Sequence, residues 1–382
     1  MSRERRFCLS VVFEFAGEPD HMMHSLLENL RSMVPGLRVT LISGVFKKYR
    51  PGGLRPGRLL NLACVYLKVA AHLLFRRPDA VIVQSAPPGI QLWTVAWAAF
   101  GKAPVCCWLM DYHPEFEARA LERLGHKGLA RPLRALDALL MPRFAAIITL
   151  DPAMTALVRS RAKDAFVLEH PTWVADSTAG VWRVSYSPGG GVGPLRLAYS
   201  GNLGKAHDLR LLRQLLEAVG RRRTVRLFAI GGSKEGEVRF RELCSDIGVA
   251  IEFIPRVPQF SDLRGLYERL RIDAGIVLLS EESAGLVSPS KFAGYINFGL
   301  PVVYLGPPGT NVATVCRRFQ GGFWLRADSG AVEMDAVAAG LLDERQMAAA
   351  AAGAHSAAKH FAGFSGRSLA GALAPHLAEG LA

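Results

Sequence analysis

Residues 195–208 of the chain read LRLAYSGNLGKAHD, and this stretch decides the fold. It begins with an apolar run, Leu195–Ser200, which is followed by a Gly-x-x-Gly turn and by the start of an amphipathic pattern near Asp208. An apolar strand that ends in a glycine turn and leads into a helix is the repeating unit of a doubly wound α/β fold. If the stretch is such a unit, the sequence on either side of it should repeat the pattern.

Short apolar runs and longer amphipathic stretches do alternate over most of the 382 residues. The runs are continuous in Val, Ile and Leu, which indicates strands covered on both faces and therefore parallel sheets. The predicted strands are Phe7–Phe13, Arg38–Ser43, Ala80–Gln84, Val105–Met110, Ala145–Leu150, Ala165–Glu169, Leu195–Ser200, Thr224–Ile230, Ala250–Ile254, Ala274–Leu279, Pro301–Leu305 and Gly322–Leu325. The predicted helices include His21–Met33, Leu59–Phe75, Leu209–Val219, Gly236–Ile247, Ser261–Leu270 and Ser290–Phe298.

A Gly/Pro-rich stretch at 179–194 interrupts the alternation and is predicted to be a linker, because nothing in it can pack a core. A phosphate-binding loop is the less favoured interpretation, since no apolar strand runs directly into it. The linker would separate an N-terminal Rossmann-like domain, 1–178, from a C-terminal one, 195–360. Residues 361–382 are expected to form a helix, which could pack back on the N-terminal domain.

The composition excludes several classes of protein. Half of the residues are apolar and 21% are charged, which excludes a disordered chain, and 46 Lys and Arg against 33 Asp and Glu give a net charge of +13. Six cysteines without metal-ligand spacing indicate reduced thiols in a cytoplasmic chain. Neither the charged N-terminus nor Ile90–Met110, which Gly101 and Pro104 interrupt, predicts a signal peptide or a spanning helix.

The turn after Leu195–Ser200 is the first candidate binding element. Gly201 and Gly204 would let backbone N–H groups approach an anion at the start of the next helix, and Lys205 adds a positive charge. Glycines at such a turn also serve backbone geometry alone, so both interpretations stay open. The turn is not a Walker loop, because no Ser or Thr follows Lys205.

The helix predicted after Pro289 is the second candidate. Ser288 or Ser290 can cap it, and Lys291 falls in its first turn. A cation at that position opposes the helix dipole and costs roughly a few tenths of a kcal/mol unless an anion offsets it. The position of Lys291 therefore hints at an anionic ligand, with a solvated surface lysine as the alternative.

The third candidate comes directly after the predicted strand Val105–Met110. Asp111, His113 and Glu115 place three ionisable side chains at the sheet edge where open α/β sheets bind ligands. A single His is more often structural than catalytic, but three such groups within five residues favour a functional site.

In order and spacing, these motifs resemble family-4 glycosyltransferases of the GT-B fold. The motifs are SGNLG at 200–204, PSKF-x-GY at 289–295 with Gly299-x-Pro301, GPPG at 306–309, and EHPTWVAD at 169–176. The resemblance covers nearly the whole chain, is strongest over 195–310, and points to bacterial sugar transferases of polysaccharide and glycolipid assembly. It implies an α/β chain whose two Rossmann-like domains face a central cleft.

The resemblance also implies a reaction and its residues. A sugar would move from a nucleotide-diphosphate sugar with retention of configuration, the leaving phosphate accepting the proton of the acceptor. Neither a cofactor nor a metal is expected, because the sequence has no Asp-x-Asp pair. The implied donor-binding residues are Gly201, Asn202, Gly204, Lys205, His207, Ser290 and Lys291, with Arg256 and Val257 beside the base. The catalytic candidates are Asp111, His113 and Glu115, of which His113 or Asp111 would orient the sugar and the acceptor.

The sequence departs from the family pattern at two places. Asn202 and His207 stand where many members carry Arg and Lys for the diphosphate, and Leu286 and Gly294 stand where many carry two Glu. Either Lys205 or Lys291 could supply the lost cation. The departures keep two alternatives open: a sugar-nucleotide epimerase of the same fold, and an inactive nucleotide-sugar-binding assembly subunit.

The acceptor is expected on the N-terminal half. From Lys47 to Arg77 the sequence contains eight Lys or Arg, no Asp or Glu, and many Leu, Tyr and Phe residues. This composition suits an anionic membrane surface, and a core helix with a solvated basic face is the alternative. A lipid-linked or saccharide acceptor at the inner face of the cell membrane is therefore expected. Nucleic acid is disfavoured, because the aromatic residues are not spaced for stacking.

Overall fold

The computed structural model describes residues 7–13, 20–44, 56–163, 165–173, 193–204, 206–257 and 260–378. The chain divides into two compact units: unit 1 comprises Met1–Pro171, Gly285–Ser288 and Phe364–Ala382, and unit 2 comprises Thr172–Ala284 and Pro289–Gly363. Each unit has one parallel six-stranded sheet between helices, which confirms the predicted α/β class. Most of the predicted linker, 179–194, lies outside the described residues.

The sheet of unit 1 has the strand order β2-β1-β3-β4-β5-β6. Its strands are β1 (Cys8–Val12), β2 (Arg38–Ile42), β3 (Ala80–Gln84), β4 (Val105–Trp108), β5 (Ala146–Thr149) and β6 (Val167–Glu169). The helices that connect them are α1 (His21–Met33), α2 (Pro56–Arg76), α3 (Ile90–Gly101), α4 (Glu115–Arg123), α5 (Lys127–Leu140) and α6 (Pro152–Arg161). Strands β3, β4 and β5 are buried along their whole length, as their continuous apolar runs predict.

The sheet of unit 2 has the order β12-β11-β10-β7-β8-β9. Its strands are β7 (Leu195–Ser200), β8 (Val225–Ile230), β9 (Ala250–Ile254), β10 (Ala274–Leu278), β11 (Val302–Leu305) and β12 (Gly322–Leu325). Its helices are α7 (Arg210–Gly220), α8 (Lys234–Asp246), α9 (Phe260–Leu270), α10 (Lys291–Asn297), α11 (Asn311–Arg318), α12 (Ala331–Gly340) and α13 (Glu344–Phe361). The core of the unit is built from these strands and from the buried leucines of α7.

Several helices begin at a side chain that caps them. The side chains of Asp20, Asp151, Ser233, Thr310 and Asp343 each accept a backbone N–H from the first turn of α1, α6, α8, α11 and α13, respectively. Each such bond satisfies one of the N–H groups that a helix leaves without an internal partner. Helix α10 differs, because Ser290 occupies the N-cap position without making a capping bond. The expected cap of this helix by Ser290 is therefore absent.

The last helix, α14 (Gly366–Ala378), belongs to unit 1 and packs against α1. A Cβ on Gly366 would lie 2.3 Å from Ser25 Oγ, so glycine allows the close approach of the two helices. The buried His170, after β6, adds a contact, since its Nε2 lies 3.0 Å from Ser368 Oγ. These contacts join the C-terminal end of the chain to the first sheet.

Candidate functional site

The strand order of unit 2 places its site between β7 and β10. From β7 the chain proceeds to β8 and β9 on one side, and then returns to β10 and β11 on the other. The loops that leave β7 and β10 therefore diverge, and open α/β sheets bind ligands in the crevice outside such a switch point. The Gly201–Gly204 turn follows β7, and the loop after β10 leads to Lys291. The first two candidate elements of the sequence thus lie at one sheet edge.

Gly201 and Lys291 are in direct contact. Gly201 has a φ of +98°, and a Cβ at this position would lie 3.0 Å from Lys291 Cε. Glycine is required here both because the backbone is in the left-handed region and because the lysine side chain occupies the adjacent space. The turn after β7 is therefore shaped around Lys291.

The amine of Lys291 is half-buried, and its partners are all neutral. Its Nζ lies 2.6 Å from Tyr199 Oη, 3.2 Å from the Asn202 carbonyl oxygen and 3.5 Å from His207 Nε2, and it stands over the Tyr199 ring at 4.2 Å from the centroid. Among the described residues no carboxylate forms an ion pair with it. Burial lowers the pKa of Lys291 to about 7, because the charged amine loses water without gaining a negative partner.

His207 faces the same point as Lys291. Its Nδ1 lies 2.9 Å from the Gly204 nitrogen and 3.2 Å from the Gly204 carbonyl oxygen, and its Nε2 lies 3.5 Å from Lys291 Nζ. When Nδ1 accepts the Gly204 N–H, the neutral ring carries its proton on Nε2, toward Lys291. Burial, together with the charges of Lys291 and Arg239, lowers the pKa of His207 to about 4. In this tautomer two donors point at each other, and an anion between them would satisfy both.

Two further residues, which the sequence analysis missed, hold this arrangement. Tyr295 of α10 crosses β10 at Gly275, where a Cβ would lie only 2.3 Å from the tyrosine ring. Its hydroxyl accepts the N–H of Ser200 at 2.9 Å, so α10 is fixed to the end of β7. Arg239 donates to the carbonyl oxygens of Gly204 and His207 at 3.2 and 3.4 Å. Only the glycine within the apolar strand β10 could have indicated the close approach of Tyr295.

The remaining donor-binding candidates differ from Lys291 and His207 in how they could contact an anion. The N–H groups of Gly201 and Gly204 are engaged by Ile230 O and by His207 Nδ1, so neither is open to an anion as expected. The backbone of Arg256 approaches Gly231, where a Cβ would lie 3.3 Å from Arg256 Cα, and this places the segment with Val257 beside the loop after β8. Lys205 lies outside the described residues.

In unit 1, the loop after β4 is held by Ser85. The Ser85 hydroxyl donates to the carbonyl oxygen of Asp111 at 2.7 Å and accepts the N–H groups of Met110 and Asp111 at 2.9 and 3.2 Å. Asp111 also pairs with Val287 in an antiparallel bridge, and the Tyr112 N–H donates to Leu286 O at 2.7 Å. The segment Gly285–Ser288 thus packs beside the Asp111 loop, which sequence patterns did not predict.

His113 lies on this loop with its ring largely enclosed. Its Nδ1 lies 2.6 Å from Glu117 Oε1, and its carbonyl oxygen accepts the side-chain amide of Gln91. The carboxylate fixes the orientation of the ring. A positioned imidazole of this kind can hold or donate a proton at Nε2.

Glu115 does not join Asp111 and His113 in an open site. Its side chain is 3% exposed and forms ion pairs with Arg161 at 2.7 Å, Arg134 at 2.9 Å and Arg119 at 3.1 Å. Burial alone would raise the pKa of Glu115, but the hydrogen bonds from Arg134 and Arg119 and the charge of Arg161 outweigh it, and the pKa is lowered. The carboxylate is enclosed by its own cations, an arrangement that fits a structural role.

A metal ion has no evident site in the described part of the chain. No group of three or more His, Cys, Asp or Glu side chains there is arranged to hold one. The expectation of a reaction without a metal stays a prediction.

Comparison with known proteins gives no match by sequence but several matches by structure. No model of a known family matches the sequence, and no curated protein is similar to it. Solved structures, in contrast, resemble it over nearly its whole length. Sucrose-phosphate synthase from Thermosynechococcus elongatus has a TM-score of 0.63 at 13% identity, and the match covers 99% of each chain.

Two other solved structures give the same result. HepE from Anabaena, in complex with UDP, has a TM-score of 0.62 at 12% identity over 98% of this chain and 100% of its own. WaaG, a glycosyltransferase involved in lipopolysaccharide biosynthesis, has a TM-score of 0.62 at 14% identity over 97% and 99%. At such identities the likeness establishes the fold alone, and that fold is GT-B, as the resemblance implied.

Proposed function

We propose that the chain is a glycosyltransferase that uses a nucleotide-diphosphate sugar, with unit 2 binding the donor. The observation that carries the proposal is the amine of Lys291, which is half-buried at the switch point of the sheet and has no acidic partner among the residues that the structure describes. A diphosphate would supply the missing negative charge and would accept from Lys291 and His207 together. The UDP bound by HepE, which has the same fold, supports a uridine nucleotide as the first ligand to test.

The same contacts would serve the reaction. Bond cleavage leaves additional negative charge on the diphosphate, and donors already fixed in place stabilise that charge more than they stabilise the ground state. Lys291 is fixed by Tyr199 and Asn202, so it needs little reorganisation when charge develops. Retention of configuration, with the leaving phosphate taking the acceptor proton, is part of the proposal and requires no protein base.

The acceptor side of the proposal rests on unit 1. His113, oriented by Glu117, and Asp111, on a loop fixed by Ser85, are the groups proposed to orient the sugar and the acceptor. A lipid-linked or saccharide acceptor at the inner face of the cell membrane completes the proposal. Its support is the stretch Lys47–Arg77, which contains eight basic residues and no acid.

Calorimetry with UDP on the wild type and on Lys291→Ala tests the donor site. Loss of a charged hydrogen-bond donor costs about 1.5–3 kcal/mol, so we expect the affinity for UDP to fall about 10- to 150-fold. Arg269→Ala is the matched control, because Arg269 is an exposed cation in the last turn of α9, at the edge of the same sheet where β10 begins and away from the Gly201–Gly204 turn. This control should bind UDP as the wild type does.

Product analysis with a UDP-sugar separates the alternatives. Transfer to an added acceptor supports the proposal. Release of free UDP with an altered sugar and no acceptor would indicate the epimerase. Binding of UDP without turnover would indicate the inactive subunit. An unchanged affinity of Lys291→Ala for UDP would show that Lys291 does not bind the diphosphate.

A further inference from the structure

Helix α2 exposes an apolar stripe on the side away from its core. Its buried side chains include Val65, Val69 and Leu73, on the side where the helix packs against α3 and β2. On the opposite side, the exposed residues recur at helical spacing and are almost all apolar: Leu60, Ala63, Leu67, Ala71 and Leu74. An amphipathic helix of a soluble unit carries polar residues on that side, so this stripe calls for an apolar partner.

The neighbouring helices extend the stripe. Helix α3 packs against both α2 and α5. Its half-buried Trp93 and Trp97 form a row of aromatic contacts that ends in Phe100, 74% exposed. Helix α5 adds exposed side chains at the same helical spacing, which are Leu129, Pro132, Leu136 and Leu139.

These three helices lie on one face of the first sheet. In the strand order β2-β1-β3-β4-β5-β6, the connections that contain α2, α3 and α5 each lead to a strand closer to β6. The connection that contains α1 leads from β1 to β2, in the opposite direction along the sheet. Right-handed crossovers in one direction place their helices on one face. The exposed side chains of α2, α3 and α5 therefore belong to a single layer, which we call the apolar layer. Helix α14 covers the opposite face with α1.

The charges of the apolar layer have one sign. Helices α2 and α3 contain no Asp or Glu, and the single acid of α5, Asp137, is fully buried and hydrogen-bonded to Tyr112 at 2.7 Å. The exposed charged residues along and at the ends of these helices are Lys68, Arg76, Arg77, Lys102, Lys127 and Arg131. The acids of the adjacent α4 are engaged, since Glu122 pairs with Arg134 and Glu117 with His113.

We propose that the apolar layer lies against an anionic membrane. The leucine stripes of α2 and α5 and the aromatic row of α3 enter the boundary between headgroups and acyl chains, and the surrounding cations contact anionic headgroups. Aromatic side chains such as Trp93 and Trp97 favour this boundary. A second copy of the chain fits the layer less well, because cations would then face cations.

Helix α2 contacts the membrane lengthwise and does not cross it. Leu59–Arg76 is long and apolar enough to span a membrane by length and composition, yet 28% of it is buried. The buried part, around Val65 and Val69, packs on the remainder of unit 1, which a crossing helix would have to abandon. The proposed membrane contact of the apolar layer extends the proposed function and rests on it for the lipid-linked acceptor. The observations that define the apolar layer do not depend on the donor site.

Sedimentation with vesicles tests the surface. We compare phosphatidylcholine vesicles with vesicles in which about one third of the lipid is phosphatidylglycerol, at low and high salt. The full chain should bind the anionic vesicles, more weakly in high salt. The double variant Leu67→Glu, Leu136→Glu should lose at least about tenfold in binding, because it removes apolar contacts and adds repulsion. The control is Val332→Glu, a change at an 84% exposed apolar residue of α12 in unit 2, which should bind as the wild type does.

UDP affinity, measured on the same samples, keeps the two proposals apart. The double variant should keep the wild-type affinity for UDP, because both substitutions lie in unit 1 and the donor site lies in unit 2. A circular dichroism spectrum and a thermal unfolding transition like those of the wild type show that unit 1 is folded. Absence of binding to anionic vesicles, or equal binding by the double variant, would overturn the membrane surface. Self-association that the double variant abolishes, without vesicle binding, would show that a second copy covers the layer. Failure of the wild type to bind UDP, with vesicle binding as expected, would count against the donor site only.

Discussion

Both units contain half-buried positive side chains, and the two sets differ in what neutralises them. In unit 1, Arg119, Arg134 and Arg161 surround Glu115, and Glu122 and Asp137 also pair with Arg134 and Arg161, so the charges of this cluster are matched within the chain. In unit 2, the partners of Lys291 among the described residues are a phenol, a carbonyl oxygen and an imidazole. A neutralised cluster holds the protein together, whereas a half-buried cation whose described partners are all neutral is suited to bind an anionic ligand. A half-buried cation that lacks a negative partner therefore indicates a binding site more strongly than the mere presence of a cation does.

The largest expected effect is the loss of Glu115. Glu115→Gln leaves three arginines around a neutral group, and breaking a buried pair costs about 3–5 kcal/mol, so the free energy of unfolding should fall by about 3 kcal/mol or more. Because the folded state lowers the pKa of Glu115, the stabilisation is present above the ordinary pKa of Glu and is lost as the pH falls. Urea denaturation at neutral and at acidic pH measures both.

The control for this variant is Glu268→Gln. Glu268 pairs with Arg264 at 2.9 Å on the exposed side of α9, and such a pair contributes about 0.3–0.5 kcal/mol. Equal stabilities of Glu115→Gln and the wild type would show that the arginine cluster does not need its acid, and the contrast between the two units would fail.

A smaller effect is expected at Tyr199. Its hydroxyl donates to Asn202 O at 2.9 Å and lies 2.6 Å from Lys291 Nζ, so it fixes the lysine. In Tyr199→Phe, loss of the hydroxyl should cost about 1 kcal/mol, which corresponds to about a fivefold weaker affinity for UDP. Calorimetry at pH 7 measures it, with Tyr304→Phe as a comparison, since the Tyr304 hydroxyl bonds to Pro307 O elsewhere in unit 2. A loss no greater than in this comparison would contradict the positioning role.

A change in the opposite direction is expected for the stability of Lys291→Met. The folded state lowers the pKa of Lys291 to about 7, so burial of the charged amine is unfavourable below that pH and the cost is relieved as the pH rises toward the ordinary pKa of Lys. At pH 6 the variant should therefore be at least as stable as the wild type, with an advantage that shrinks above pH 7. Denaturation curves at pH 6 and pH 9 check this. A variant less stable than the wild type at pH 6 would mean that Lys291 holds the fold.

The sequence predicted the parts of the molecule that depend on local pattern. Strands β3 and β7 have the predicted bounds, Ala80–Gln84 and Leu195–Ser200, because continuous apolar runs define strands buried on both faces. Lys291 was singled out by its place in a first helical turn, which is also a local property. Lys291 lies close to Gly201 because the loops that contain them both follow the carboxyl ends of strands at the same edge of the sheet.

Contacts between distant residues could not be predicted in this way. Arg134 and Arg161 reach Glu115 from other helices, and no spacing within the Asp111–Glu115 motif reveals them. The expected N–H donors of Gly201 and Gly204 are used within the protein, because a turn must satisfy its own polar groups. Three acidic or imidazole groups close in sequence therefore separated into a loop site and a structural cluster.

Proton uptake on UDP binding tests the central claim most directly. If the diphosphate supplies the counter-charge of Lys291, binding raises the pKa of the amine, which is about 7 in the free protein. Calorimetry at pH 8 in buffers of different ionisation enthalpy should then show uptake of about one proton per UDP in the wild type and none in Lys291→Met. Binding of UDP to the wild type without proton uptake would contradict the account.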